Sequence, residues 1–245
     1  MNVGQLEASG ADIAFVMPSH QYPLGIVMPI KRRMELLRWA KNDGLEGRPR
    51  YIIEDDYDSE FRYKGKPVPA LQGYDNQECV IYIGTFSKSI APAIRMSYLV
   101  LPKPLLQRYH ENCGFLSSTV SRVDQLILQK FIEDGYYERH LNKMRALYKN
   151  RHDVLLACLK KMGDSFRISG EHAGVHLLLR FEDGRKEEEL IRKAKESGIR
   201  VYGLSQYCIK PDKNEEGQAT ILLGYANMSE EAIREAAALL KTAWK

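Results

Sequence analysis

No two of the four cysteines in this 245-residue chain, Cys79, Cys113, Cys158 and Cys208, form a Cys-x-x-Cys pair. That wide spacing excludes a zinc ribbon and a dense disulfide framework, so they read as reduced, mostly buried thiols. No apolar run is long enough to span a bilayer, and Met1-Asn2-Val3-Gly4 leads into no signal-peptide core, which points to a soluble cytoplasmic protein. The net charge of +4 is spread along the chain without a basic stripe, leaving nucleic-acid binding by this segment unsupported. There is no internal repeat and no low-complexity segment, so repeat architectures fall away. What is present, 44% hydrophobic and 28% charged residues, suffices for a sizeable core, as one large domain or one large plus one small.

Strand and helix patterns alternate. Asp12 to Val16 reads as a strand and Ile30 to Asn42 as a helix. The apolar runs Tyr51-Ile52-Ile53 and Val80-Ile81-Tyr82-Ile83 read as buried strands, and Met96 to Leu101 as a fourth. Pro102 and Pro104 close that strand and open a helix. Ser117-Ser118-Thr119-Val120 is placed to cap a helix running to about Glu133, stopped by Asp134-Gly135. Tyr136 to Met162 is one long helical pattern, suited to a connector. Beyond it, strands are expected at Phe166 to Ser169, Val175 to Phe181, Arg200-Val201-Tyr202 and Thr220 to Leu223, with helices at Lys186 to Ser197 and Ser229 to Thr242. The expected division is a large domain over 1–164 and a small one over 165–245. Lys210 to Gln218 is the most loop-like stretch.

The chemistry concentrates in two places. Thr85-Phe86-Ser87-Lys88-Ser89 follows one strand, with Arg95 seven residues past the lysine, and Glu54-Asp55-Asp56-Tyr57 ends another about thirty residues earlier. A cofactor aldehyde needs an amine to hold it as a Schiff base, an anion at its pyridine nitrogen, and hydroxyls plus a guanidinium around its phosphate. Asp55 would emerge at a strand end, where ligands of open α/β sheets bind, and can keep a pyridine nitrogen protonated. Tyr57 is placed to meet a ring hydroxyl. Lys88 follows Gly84, which permits a tight turn and close ligand approach. Thr85 and Ser87 supply hydroxyls, and Arg95 a planar fork suited to phosphate. Each residue alone reads as solvated charge, turn or cap; their order after successive strands points to a pyridoxal phosphate site.

Met17-Pro18-Ser19-His20-Gln21-Tyr22-Pro23-Leu24-Gly25, Ile53 to Arg62 and Gly84 to Ser89 closely resemble the aminotransferase-like domain of MocR-type regulators. These are GntR-family proteins in which a winged helix is joined to a fold-type I pyridoxal phosphate domain. The resemblance runs on through Ala173-Gly174-Val175-His176 and Leu223-Gly224-Tyr225-Ala226. It implies an α/β fold: a portion of the large domain of a pyridoxal phosphate-dependent transferase, with a smaller α+β carboxy-terminal domain. It makes Lys88 the Schiff-base lysine, Asp55 the pyridine-nitrogen partner, Tyr57 the ring-hydroxyl partner, and Thr85, Ser87 and Arg95 the phosphate ligands. The strands ending at Val16, Asp55, Gly84 and Leu101 become sheet neighbours.

Departures from ordinary transaminases follow from the same alignment. Tyr22-Pro23-Leu24-Gly25 replaces their Asn-Pro-Thr-Gly, and Leu222 stands where many carry an arginine for the substrate carboxylate, leaving Arg62 or Arg200 as substitute cations. The resemblance also implies an amino-terminally truncated chain, without the winged helix, the linker and the first part of the cofactor domain. Cofactor binding by the segment alone is then expected to be weak or absent. Two functions are in contention: an effector-sensing module, in which an amino compound reacts at the cofactor without turnover, and part of a working aminotransferase acting on an amino acid. A partial domain that binds no cofactor cuts across both. A homodimer is expected of the intact protein, with DNA contacted only through the winged helix, and no membrane.

Six histidines invite a metal reading, but His172 and His176, four apart in strand and turn, would not share a helical face, and no other ligands accompany them. His20 reads as shaping its local turn. His110, His140 and His152 fall on helices and read as surface or core-edge residues.

Overall fold

The computed structural model describes residues 1–42, 44–63, 65, 68–209 and 218–245, so most of the loop-like Lys210–Gln218 stretch lies outside the described residues. The chain divides into two compact units, the first comprising Met1–Gln21, Val27–Glu60 and Lys66–Asn142, the second Tyr22–Ile26, Phe61–Gly65 and Lys143–Lys245.

The first unit is built on a four-stranded sheet of β1 (Ile13–Val16), β2 (Tyr51–Asp56), β3 (Val80–Thr85) and β4 (Ser97–Val100), in that spatial order. This is the neighbourhood that the family resemblance implies. β1, β2 and β3 run parallel, with Val16 beside Glu54 and Asp56 beside Gly84, while β4 returns antiparallel to β3. Helix α1 (Val3–Ala8), for which the sequence carries no strong periodic signal, precedes β1, capped by the Asn2 side chain. Helix α2 (Ile30–Lys41) connects β1 to β2. Its Leu36, Trp39 and Ala40 pack with Ala14, Val16, Ile52, Leu71, Cys79 and Val80. Strand alternation puts Ile13 and Phe15 on the opposite face, where both are exposed. Helices α3 (Lys103–Cys113) and α4 (Arg122–Glu133) follow; the cap of α4 is Ser121, a few residues later than the Ser117–Val120 run indicates.

Two buried charges brace this unit. The Arg33 guanidinium donates to the carbonyls of Met28, Pro69 and Pro18 at 3.1, 2.7 and 2.7 Å, tying the start of α2 to the chain leaving β1. The Glu54 carboxylate, wholly buried in β2, accepts from the backbone N–H groups of Leu71 and Gln72 at 2.7 and 2.8 Å. Burial raises the Glu54 pKa, while the two N–H donors and the charge of Arg33 work against that rise.

Helix α5 (Tyr136–Lys160) carries the chain into the second unit. There, β5 (Phe166–Ser169), β6 (His176–Phe181), β7 (Tyr202–Gly203) and β8 (Ala219–Gly224) form an antiparallel sheet in the order β5-β6-β8-β7. Helices α6 (Glu187–Glu196) and α7 (Glu230–Ala243) and the last turns of α5 cover it. The core holds Leu159, Leu177, Leu179, Phe181, Leu190, Ile221, Ile233 and Trp244. The segments 22–26 and 61–65 are stitched to it by His176 Nε2 with the Pro23 carbonyl at 2.8 Å and by Tyr63 Oη donating to the Gly174 carbonyl at 2.7 Å.

Two expectations need correction. His152 is not a core-edge residue: it is 1% exposed, with its ring 5.1 Å from that of Tyr63. Of the cysteines only Cys79, just before β3 and in the core cluster with α2, is buried; Cys113 on α3 and Cys158 on the helix over Tyr136–Lys160 are half-buried, and Cys208 is exposed. Among the described residues, no helix is long and apolar enough to cross a membrane.

Leu36 is fully buried at the centre of the first core. Leu36→Ala should therefore destabilise the protein by about 2–5 kcal/mol, read from urea unfolding. A loss well under about 1 kcal/mol would show that the cluster collapses around the vacancy or is not the core of that unit.

Candidate functional site

Three parallel strands end side by side, and each delivers a polar segment at its carboxyl end, the edge at which open α/β sheets bind ligands. β1 leads to Pro18-Ser19-His20, β2 to Asp55-Asp56-Tyr57-Asp58, and β3 to Thr85-Phe86-Ser87-Lys88.

Asp55 lies beside Ile83 in the β2–β3 register and is half-buried. Burial, then the anions Asp56 and Asp58, raise its pKa above the ordinary carboxylate value. A nearby cation would reverse that trend, so the position suits a positively charged partner. Asp56 is occupied structurally: it accepts from Tyr82 Oη at 2.7 Å and from the Ser59 hydroxyl at 2.8 Å, closing the turn after β2. Asp58 is 2% exposed, with Oδ2 2.8 Å from Nδ1 of the equally buried His20. Tyr57 Oη stands 3.0 Å from the same nitrogen. His20 is thus no local turn former; it joins the exits of β1 and β2 across 38 residues.

After β3 the backbone turns tightly. The Thr85 hydroxyl donates to the Met96 carbonyl and accepts from the Ser87 N–H, both at 3.2 Å, so its hydrogen serves the turn. Ser87 is half-buried and Lys88 exposed. Lys88 lies close enough to Asp58 for its charge to pull the Asp58 pKa down against the upward push of burial. Asp58 is a residue to which the sequence alone gives no role. Arg95 is exposed and held in the left-handed region at φ 48°, ψ 33°, just before β4. A non-glycine residue held there carries strain of about 1–2 kcal/mol. Gly84 is required for a reason the sequence hides. A Cβ there would come within 2.2 Å of the Tyr98 ring on β4.

The remaining candidate cations lie in the second unit. Arg200 sits over the Tyr202 ring at 5.1 Å, and Arg62 forms a backbone bridge with Ala173. Leu222 is buried in β8 beside Leu178 and Tyr202. Among the described residues no group of three or more His, Cys, Asp and Glu side chains could hold a metal ion.

The raised Asp55 pKa makes a stability prediction. The folded state holds the Asp55 proton to higher pH than the unfolded chain, so this residue's contribution falls as pH rises from the unfolded pKa through the folded one. Asp55→Asn should raise the urea midpoint at pH 7, with the gain shrinking as pH is lowered toward 4. A variant less stable than wild type at pH 7 would show that Asp55 is held by a native partner stronger than its burial cost.

The model of the family described as aminotransferase class I and II matches residues 7–240. The chain is 43% identical over 245 residues to the HTH-type transcriptional regulator YdeL of Bacillus subtilis, covering 99% of this chain and 51% of that protein. It is 36% identical to the probable rhizopine catabolism regulatory protein MocR of Rhizobium meliloti, covering 95% of this chain and 45% of that one. It thus spans about half the length of these curated relatives. Among solved structures, the multiple substrate aminotransferase from Thermococcus profundus superposes with a TM-score of 0.83 at 26% identity, covering 99% of this chain and 60% of the other. The two sheets, their helices and the match over 7–240 make the conclusion plain: the chain belongs to the aminotransferase class I and II family, with the fold of a fold-type I transferase.

Proposed function

We propose that this chain is the aminotransferase-like, pyridoxal 5'-phosphate-binding effector module of a MocR-type regulator of the GntR family. The observation that carries this reading is the delivery of Asp55, Tyr57 and Lys88 at adjoining ends of parallel strands, in a chain related along its length to regulators of that kind. The donor set fits the cofactor. Besides the exposed amine of Lys88, buried Asp58 Oδ1 and Ser89 Oγ have no hydrogen-bond partner among the described residues, the condition a bound polar group would relieve.

Bound, pyridoxal phosphate supplies an aldehyde for amines and a pyridinium ring that draws electrons. Lys88 would hold it through Nζ, and Asp55 would supply the anion that keeps its ring nitrogen protonated. Tyr57 would meet the ring hydroxyl. Ser87, Arg95 and, in competition with its bond to Met96, Thr85 would hold the phosphate. An amino compound would be the class of effector that such an aldehyde takes. In the whole protein, a winged helix outside this segment would contact DNA, the module would form a homodimer, and the location would be cytoplasmic. The second reading, an aminotransferase acting on an amino acid, draws on 29% identity over 94% of the chain to an aromatic-amino-acid aminotransferase of Thermococcus litoralis.

Reductive trapping tests the assignment even where binding is weak. The chain is incubated with pyridoxal phosphate, reduced with borohydride and mapped by peptide mass spectrometry. The pyridoxyl mark should fall on Lys88 and vanish in Lys88→Ala. Marks spread evenly over the exposed lysines would contradict the site, and steady release of an oxo acid from an amino donor would favour the enzyme over the sensor.

A further inference from the structure

We propose that Asp58 and His20 form a positioning pair that fixes the direction of the Tyr57 hydrogen bond, so that Tyr57 serves as a donor toward the ligand site. His20 Nδ1 faces Asp58 Oδ2 at 2.8 Å and Tyr57 Oη at 3.0 Å. A ring nitrogen carries either a hydrogen or a lone pair, never both. An ionised Asp58 can only accept, so Nδ1 carries the hydrogen, and the Tyr57 oxygen faces that N–H as a second acceptor. The phenol's own hydrogen is thereby turned away from His20.

The pair is built to hold this polarity. Both side chains are almost wholly buried, at 1% and 2% exposure, so bulk water cannot exchange one tautomer for the other at little cost. Burial, the largest influence on Asp58, and Asp56 raise its pKa above the ordinary carboxylate value, while the His20 hydrogen bond and the charge of Lys88 favour the ionised form that this polarity requires. His20 and Tyr57 also stack obliquely, with ring centroids 6.0 Å apart, which limits the rotation of either. Because His20 leaves β1 and Asp58 leaves β2, the pair locks the two strand exits and the donor direction together.

The inference rests on the proposed function only for the identity of the acceptor that Tyr57 meets, a cofactor ring oxygen carrying negative charge. The hydrogen-bond polarity does not depend on it. The test therefore has two arms. In the first, the histidine-labelled full chain without ligand is examined by long-range 1H–15N correlation, with His20 assigned by the signal missing from His20→Gln. A protonated Nδ1 is expected, and Asp58→Asn, whose amide can donate, should move the hydrogen to Nε2. An unprotonated Nδ1 in the wild type would mean that Asp58 is the acid donating to it, and would overturn the proposal.

In the second arm, pyridoxal phosphate affinity is measured from the Lys88-dependent visible absorption. Asp58→Asn and Tyr57→Phe should each weaken binding about tenfold, the double variant no further. His20→Asn, whose amide nitrogen takes the place of Nδ1–H, should stay near wild type, whereas His20→Leu should not. Full affinity in Asp58→Asn, or additive losses in the double variant, would end the positioning role while leaving the cofactor site intact. Absence in the wild type of both a Lys88-dependent signal and the borohydride-trapped mark on Lys88, together with a protonated Nδ1, would leave the pair standing and defeat the cofactor reading instead. Should Asp58→Asn fail to fold, the wild-type spectrum and the two His20 variants still decide the matter.

Discussion

The candidate site depends on an arginine and a glutamate buried behind it. Arg33 gathers three carbonyls from Pro18, Met28 and Pro69, and Glu54 gathers two backbone N–H groups from Leu71 and Gln72. Each loop so held would otherwise leave polar backbone unpaired beside an apolar core, at a cost of about 1–3 kcal/mol per group. The two clamps fix where β1 exits and how the chain after β2 returns toward β3. Parallel strands supply the alignment; the clamps keep the loops at its end from drifting.

That rigidity explains how the site tolerates crowded anions. Asp55, Asp56 and Asp58 lie within four residues, and burial raises the pKa of Asp55 and Asp58. Asp56 accepts from Tyr82 and Ser59, Asp58 stands beside His20 in the field of Lys88, and at Asp55 burial and both neighbouring anions oppose the charge. A site that keeps a carboxylate in such surroundings trades stability for readiness to meet a cation.

Much of this was legible in the sequence because it is local. The apolar runs ending at Ile53 and Ile83 and the breakers after them predict the strands and the residues at their ends, and the family that the motif strings resemble implies which strands are neighbours. What was hidden depends on distant partners. Nothing near Gly84 announces that the Tyr98 ring would occupy the space of its side chain. Nothing near His20 names Asp58, 38 residues away, although both stand inside the motifs that carry the family resemblance. Arg33 sits in a helix among Lys31 and Arg32 and reads as one more surface cation, yet it is fully buried. The small α1 and the second unit's capture of segments 22–26 and 61–65 also arise from tertiary packing rather than periodicity.

The central claim is that Asp55, Tyr57 and Lys88 address one cofactor from adjoining strand ends. A crystal structure of the chain grown with pyridoxal phosphate measures this directly. Continuous density from Lys88 Nζ to the cofactor is expected, with the Asp55 carboxylate within hydrogen-bonding distance of the ring nitrogen and Tyr57 Oη on the ring oxygen. Lys88 turned into solvent with the cofactor bound elsewhere, or Asp55 and Lys88 facing different cavities, would contradict the claim.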